Sequence, residues 1–151
     1  MKTKLFFLIF FSSSLFCYGQ PPPTIKKVEI YALPFMTEYI INIDKNDIKK
    51  KKPLYVRVVD MEEISRSNIS RLTSNLVKVE DSYFPYDYRA MFILHYSNSK
   101  RHTYYIASGS WGIVSKNKLY KVNYPLIAAI YSFLPDEYFT SWYEKYPEVF
   151  K

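Results

Sequence analysis

Two histidines near the middle of the sequence have a spacing that a β-hairpin could bring together. His95 and His102 flank residues 97–100, and a two-residue turn at Asn98 and Ser99 would pair them across the hairpin. Two imidazoles can ligate a metal, but a zinc site takes three or four ligands, and neither strand supplies a carboxylate nearby. The sequence therefore predicts no metal site, and we expect the two histidines to be part of a polar surface.

A tyrosine-rich segment, YFPYDYR at residues 83–89, precedes the first of these strands. Tyrosine combines a large apolar ring with a hydroxyl and loses little entropy on ordering, which suits a recognition surface. An alternative stays open, in which the rings pack into the loop's own core and Asp87 pairs locally with Arg89. The predicted binding residues are Tyr83, Phe84, Tyr86, Asp87, Tyr88, Arg89, His95 and His102.

Patterns typical of catalysis are missing from the sequence. The carboxylate pairs at residues 62–63 and 136–137 stand at predicted helix starts, where the helix dipole favours negative charge. The serines of residues 108–110 lack the strand-to-helix context of a nucleophile elbow. Gly109 and Gly112 are the only glycines after residue 19, too few for a phosphate-binding loop. We predict no catalytic residue and no cofactor.

The N-terminus has the features of an export signal. Lys2 and Lys4 precede an apolar run, and the small residues Cys17 and Gly19 fit a cut before Gln20. The only cysteine would then leave with the signal. The alternative is a bacterial lipoprotein anchored at Cys17, although the preceding residues resemble a lipobox poorly. The predicted location is therefore periplasmic or secreted.

Loss of the signal would lower the net charge from +7 to +5 and leave a chain without cysteine. That mild basic bias, outside the cytoplasm, disfavours nucleic acid as a partner and leaves another protein or an anionic glycan. The lysine run at residues 49–52 is diluted by Asp44 and Asp47, so it is typical of a solvated loop.

Strand patterns dominate the chain after a proline spacer at residues 20–23. β-branched and aromatic runs predict strands at residues 25–33, 37–43 and 54–59. Further runs around turn signals predict two hairpins, which together form an antiparallel meander. Their strands are expected at residues 89–96, 101–107, 111–114 and 119–122.

Three segments instead have helical periodicity. Residues 60–79 form an amphipathic stripe, with Asp60 as N-cap and Glu63 completing a capping-box-like start. Pro125 fits the first turn of a helix that begins near Asn123, and Pro135 ends it. A last helix is expected over residues 136–146.

The order of strands, helix, strands and helices predicts an α+β fold. We expect one domain at residues 24–151, with an antiparallel β-meander packed against the amphipathic helix and a C-terminal helical pair. The combined pattern favours an exported, non-catalytic binding or inhibitor-like module that recognises another envelope or secreted protein. A small glycan-binding protein or hydrolase built on the Tyr/Asp/Arg/His cluster is the alternative.

Overall fold

The computed structural model describes residues 23–37, 41–67, 69, 73, 75–80, 87–107, 112–121, 123–145 and 147. Within them the chain forms one six-stranded antiparallel sheet and three short α-helices, which confirms the predicted α+β fold. The strands are β1 (Ile25–Ala32), β2 (Tyr55–Val59), β3 (Tyr88–Tyr96), β4 (Arg101–Ala107), β5 (Gly112–Ser115) and β6 (Lys118–Lys121). The helices are α1 (Met61–Ser67), α2 (Tyr124–Tyr131) and α3 (Asp136–Lys145).

The spatial order of the strands is β2-β1-β3-β4-β5-β6. The last four strands form the predicted meander, since each pairs with the next one along the chain. β1 lies between β2 and β3 and is antiparallel to both, so the connection through α1 crosses from one side of β1 to the other.

One face of the sheet carries the main core beneath the helices. Phe92, Leu94 and Ile106 alternate inward from β3 and β4, as the two-residue period of a strand requires. The helices contribute Leu126 from α2 and the fully buried Trp142 from α3. The helix layer therefore covers one face of the sheet.

Residues 41–54 cover part of the opposite face. Ile43 and Ile48 are fully buried there, the second from a 3-10 turn, Ile48–Lys50. They pack in a second cluster with Met91 and Val114. The prediction of a strand at residues 37–43 is wrong for the described part of that range, because Thr37 and residues 41–43 have irregular backbone.

The amphipathic helix is shorter than predicted. Asp60 caps α1 as expected, because its Oδ1 accepts the Glu63 backbone N–H at 3.0 Å. The helix does not reach Val79, however, since Lys78 bridges Tyr120 and Val79 N donates to Leu119 O at 2.9 Å. Residues 77–79 therefore extend along the outer edge of β6.

The C-terminal helices begin where the sequence predicts, but α2 ends at Tyr131, before the predicted end at Pro135. Asn123 Oδ1 accepts the Leu126 N–H at 3.2 Å, with Pro125 in the first turn of α2. At the other end, the Phe133 carbonyl accepts Tyr55 Oη at 3.0 Å and an Arg57 guanidinium nitrogen at 3.3 Å. These hydrogen bonds connect the turn after α2 to β2.

The β3–β4 hairpin departs from its predicted register by one residue. His95 pairs with Arg101, and Leu94 pairs with His102. Ser99, whose φ is 62°, adds a left-handed residue to the turn, which makes a three-residue loop of the expected two-residue one. A shift of one residue turns a side chain to the other face, so His95 and His102 lie on opposite faces of the sheet.

Candidate functional site

The predicted binding residues fall into three groups in the structure. Tyr83, Phe84 and Tyr86 lie outside the described residues. Asp87, Tyr88 and Arg89 lie together at the start of β3. The two histidines are separated by the thickness of the sheet, so the structure does not gather the whole set into one site.

Asp87 and Arg89 hold the chain after β1 onto the start of β3. Their side chains pair at 2.8 Å and are only 15% and 9% exposed. Asp87 Oδ1 also accepts the Ile43 N–H at 3.0 Å, and Arg89 donates to the Thr37 carbonyl at 3.0 Å. This is the local pairing that the sequence left open as an alternative, and it engages both charges within the fold.

Tyr88 lies in the second apolar cluster, with its ring 5.6 Å from that of Tyr105. Burial raises the pKa of the Tyr88 phenol, and the nearby charge of Asp44 adds to the effect. Its ring therefore serves packing on this face, with the phenol in its neutral form at ordinary pH.

His102 lies on the helix side of the sheet near the Tyr96 ring, whose centroid is 5.0 Å away. Lys116 Nζ is 3.3 Å from its Nε2. Burial, followed by the charges of Lys116 and Lys100, lowers the pKa of this imidazole. His102 is thus held neutral by its surroundings.

His95 contacts a carboxylate that sequence reasoning missed. Its Nε2 lies 3.1 Å from Glu29 Oε1, which also pairs with Lys27 Nζ at 2.7 Å. Tyr31 Oη donates to the other Glu29 oxygen at 3.2 Å. The signal is absent from the local sequence because Glu29 comes from β1. The antiparallel pairing of β1 with β3, in which Lys27 lies opposite His95, brings Glu29 close to this histidine.

The Glu29 carboxylate is held in its ionised form. The hydrogen bond from Lys27 is the largest cause that lowers its pKa, against a smaller opposing effect of burial. A carboxylate with a lowered pKa is a weak general base, because catalytic efficiency needs a pKa close to the working pH. The cluster around Glu29 is therefore suited to recognition more than to proton transfer.

This cluster belongs to a larger surface on the sheet face that the helices leave uncovered. Strand pairing places Val58 beside Glu29, Val56 beside Tyr31, and Arg101 beside His95. Lys49 Nζ lies 4.1 Å from the centre of the Tyr31 ring, in cation–π geometry, at its border. We call this surface the open face, and its members are Lys27, Glu29, Tyr31, Val56, Val58, Ile93, His95, Arg101 and Thr103.

Two valines give the open face an exposed apolar part. Val56 is 51% exposed and Val58 is 58% exposed, although both belong to a regular strand. Apolar side chains gathered beside aromatic and cationic groups are typical of surfaces that contact another protein.

A cleft on the helix side is smaller than an ordinary ligand pocket. It measures about 230 Å³ and is lined by Glu63, Ser67, Ser132 and Phe133. Small-molecule sites usually measure about 300–1,000 Å³. Glu63 is moreover engaged in an ion pair with Arg57, so this cleft offers little for a ligand to bind.

Across the described part of the chain, no group of three or more His, Cys, Asp or Glu side chains could hold a metal ion. Nor does any helix within that part combine the length and apolar composition needed to cross a bilayer. The fold is that of a small α+β protein, in which the described residues leave part of one sheet face uncovered. Comparison with known proteins finds no family model, curated protein or solved structure that matches the chain.

Proposed function

We propose that the protein is an exported, non-catalytic binding module that recognises another envelope or secreted protein through its open face. The observation that carries the proposal is the exposure of Val56 and Val58 beside the Lys27–Glu29–His95 cluster. A partner that covers the valines gains apolar burial, while the charged groups orient it.

The alternative of a glycan-binding protein or hydrolase receives less support from the geometry. It needs Asp87, Arg89 and both histidines in one polar site, but Asp87 and Arg89 are bonded to each other and to backbone. The histidines face opposite sides of the sheet. The part that residues 83–86 take in binding stays a prediction, as does the export signal at residues 1–19.

Affinity capture from the envelope extract of the source cells tests the proposal. The baits are the wild-type protein and two open-face variants, Val58→Glu and Arg101→Glu, which lie at opposite sides of that face. Val77→Glu is the matched control, because Val77 is 60% exposed and lies at the other end of the sheet, beside β6.

We expect the wild type and Val77→Glu to recover the same protein. Neither open-face variant should recover it. Recovery that is equal for all four baits would place binding elsewhere. Retention on glycan, with no protein recovered, would also contradict the proposal. Intact mass of the exported protein tests the location, with a terminus at Gln20 expected and a lipidated Cys17 as the opposing result.

A further inference from the structure

The two edge strands of the sheet differ in whether their outer backbone groups are paired. Residues 77–79 run along β6, with hydrogen bonds at 2.9 Å to Leu119 and Lys121. At the other edge, no described residue pairs with the outer side of β2. An edge strand presents backbone N–H and C=O groups that can pair with another strand.

Charges of opposite sign stand at the two ends of β2. Lys52 precedes the strand, whereas Asp60 and Glu62 follow it, and all three residues are exposed. An antiparallel neighbour with the same sequence would place its acidic end beside the basic end of the first strand. The edge is therefore complementary to itself in charge.

We infer that β2 pairs with β2 of a second copy of this chain, antiparallel and about a two-fold axis at Arg57. This register places Val56 of one copy opposite Val58 of the other, and it occurs twice because the interface is symmetric. Lys52 of each copy then lies at the same end of the strand pair as Asp60 and Glu62 of the other. The two six-stranded sheets become one continuous sheet.

Arg57 at the axis is compatible with this arrangement. Each Arg57 pairs with Glu63 of its own chain, and its guanidinium lies 5.5 Å from the centre of the Phe133 ring on the helix side. The Arg57 charge is thus already neutralised by Glu63 within each monomer. Two unpaired arginines in direct opposition would instead repel each other.

A second copy fits this edge better than an acidic strand from another protein. Such a strand would gain from Lys52 but would be repelled by Asp60 and Glu62 at the far end. A strand with an acidic end beside Lys52 and a basic end beside Asp60 and Glu62 is attracted at both ends. An antiparallel β2 from a second copy of the chain is such a strand. Because the axis is perpendicular to the sheet, both open faces point the same way and form one double surface.

Charge exchange at the strand ends tests the inference by sedimentation equilibrium. Lys52→Glu alone and Glu62→Lys alone each bring like charges together at both ends of the strand pair, so each should weaken self-association roughly tenfold. The double variant restores opposite charges and should return the dissociation constant to within about threefold of the wild type. Lys118→Glu, an exposed change on β6, is the control and should leave the constant unchanged.

A chain that stays monomeric at every concentration would overturn the inference. So would a dimer that both single variants leave intact, or a double variant that associates more weakly than either single one. The outcome is separable from the proposed function, because Lys52→Glu should still capture the partner protein, whereas Arg101→Glu should still form the dimer.

Discussion

At the scale of single residues, Asp87 and Arg89 show how charged side chains that resemble a binding motif can serve the fold. The pair has almost the same length as the Asp47–Lys50 pair, 2.8 Å against 2.7 Å. The difference is burial, since the Arg89 side chain is 9% exposed and that of Lys50 is 74% exposed. Water screens the second pair, so only the first should contribute strongly to stability.

A double-mutant cycle on Asp87 and Arg89 tests that difference. Alanine at Arg89 leaves a carboxylate in a mostly buried position and should lower the free energy of unfolding by about 3 kcal/mol. The coupling between the two positions should be about 2 kcal/mol in urea unfolding. The same cycle on Asp47 and Lys50 should give a smaller coupling that added salt removes. Equal coupling for the two pairs would contradict this account.

Tyr104 is the residue whose ionisation should limit stability in alkali. Burial, with the neighbouring Tyr96 and Tyr120, raises the pKa of its phenol from 10.0 to about 12. A raised pKa means that the folded state holds the proton longer than the unfolded state does. The contribution to stability is therefore complete below pH 10 and is lost as pH rises from 10 towards about 12.

The variant Tyr104→Phe isolates this effect. It keeps the aromatic ring, which stacks on Phe92 at 4.9 Å between centroids, and removes the ionisable group. Urea unfolding between pH 10 and about pH 12 should show a shallower decline for the variant than for the wild type. Identical slopes would mean that other groups govern the decline.

At the scale of elements, local sequence signals predict the fold well wherever a segment has a clear hydrophobic periodicity and its own turn or capping residues. The strands of the meander and the starts of the two C-terminal helices are of this kind, with Asn123 and Pro125 marking a start that the structure confirms. The first helix is predicted too long, because apolar spacing continues to Val79 while the backbone after residue 75 instead pairs with β6. Tertiary pairing overrides local periodicity there.

The candidate site was less predictable because it depends on which strands are neighbours. Nothing close to His95 in the sequence indicates Glu29, which arrives through the placement of β1 beside β3. Hairpin register is also sensitive to one turn residue, and the left-handed Ser99 moves His102 to the other face. Strand order and turn conformation are thus the two properties that the local pattern leaves undetermined.

Ser99 offers a direct test of the hairpin. Ser99→Gly removes the steric cost of a left-handed residue and should raise the free energy of unfolding by about 1 kcal/mol. Ser99→Val should lower it, because a β-branched side chain is poorly accommodated at φ 62°. Cross-strand NMR contacts should link His95 with Arg101 in the wild type and in Ser99→Gly. A His95–His102 contact would contradict the register.

At the scale of the whole molecule, the sheet has two unlike faces. Among the described residues, helices cover one face with the main core, and residues 41–54 cover part of the other. The remainder is the open face, on which exposed valines adjoin a fixed arrangement of charges. We propose that a partner protein binds the open face.

Hydrogen–deuterium exchange of the protein with and without its captured partner tests that claim most directly. Both samples contain the same protein concentration, so that any self-association is common to them. Binding should slow amide exchange in β1, β2 and the β3–β4 hairpin, and leave α2 and α3 unchanged. Protection confined to α2 and α3, with β1 and β2 exchanging as in the free protein, would contradict the account.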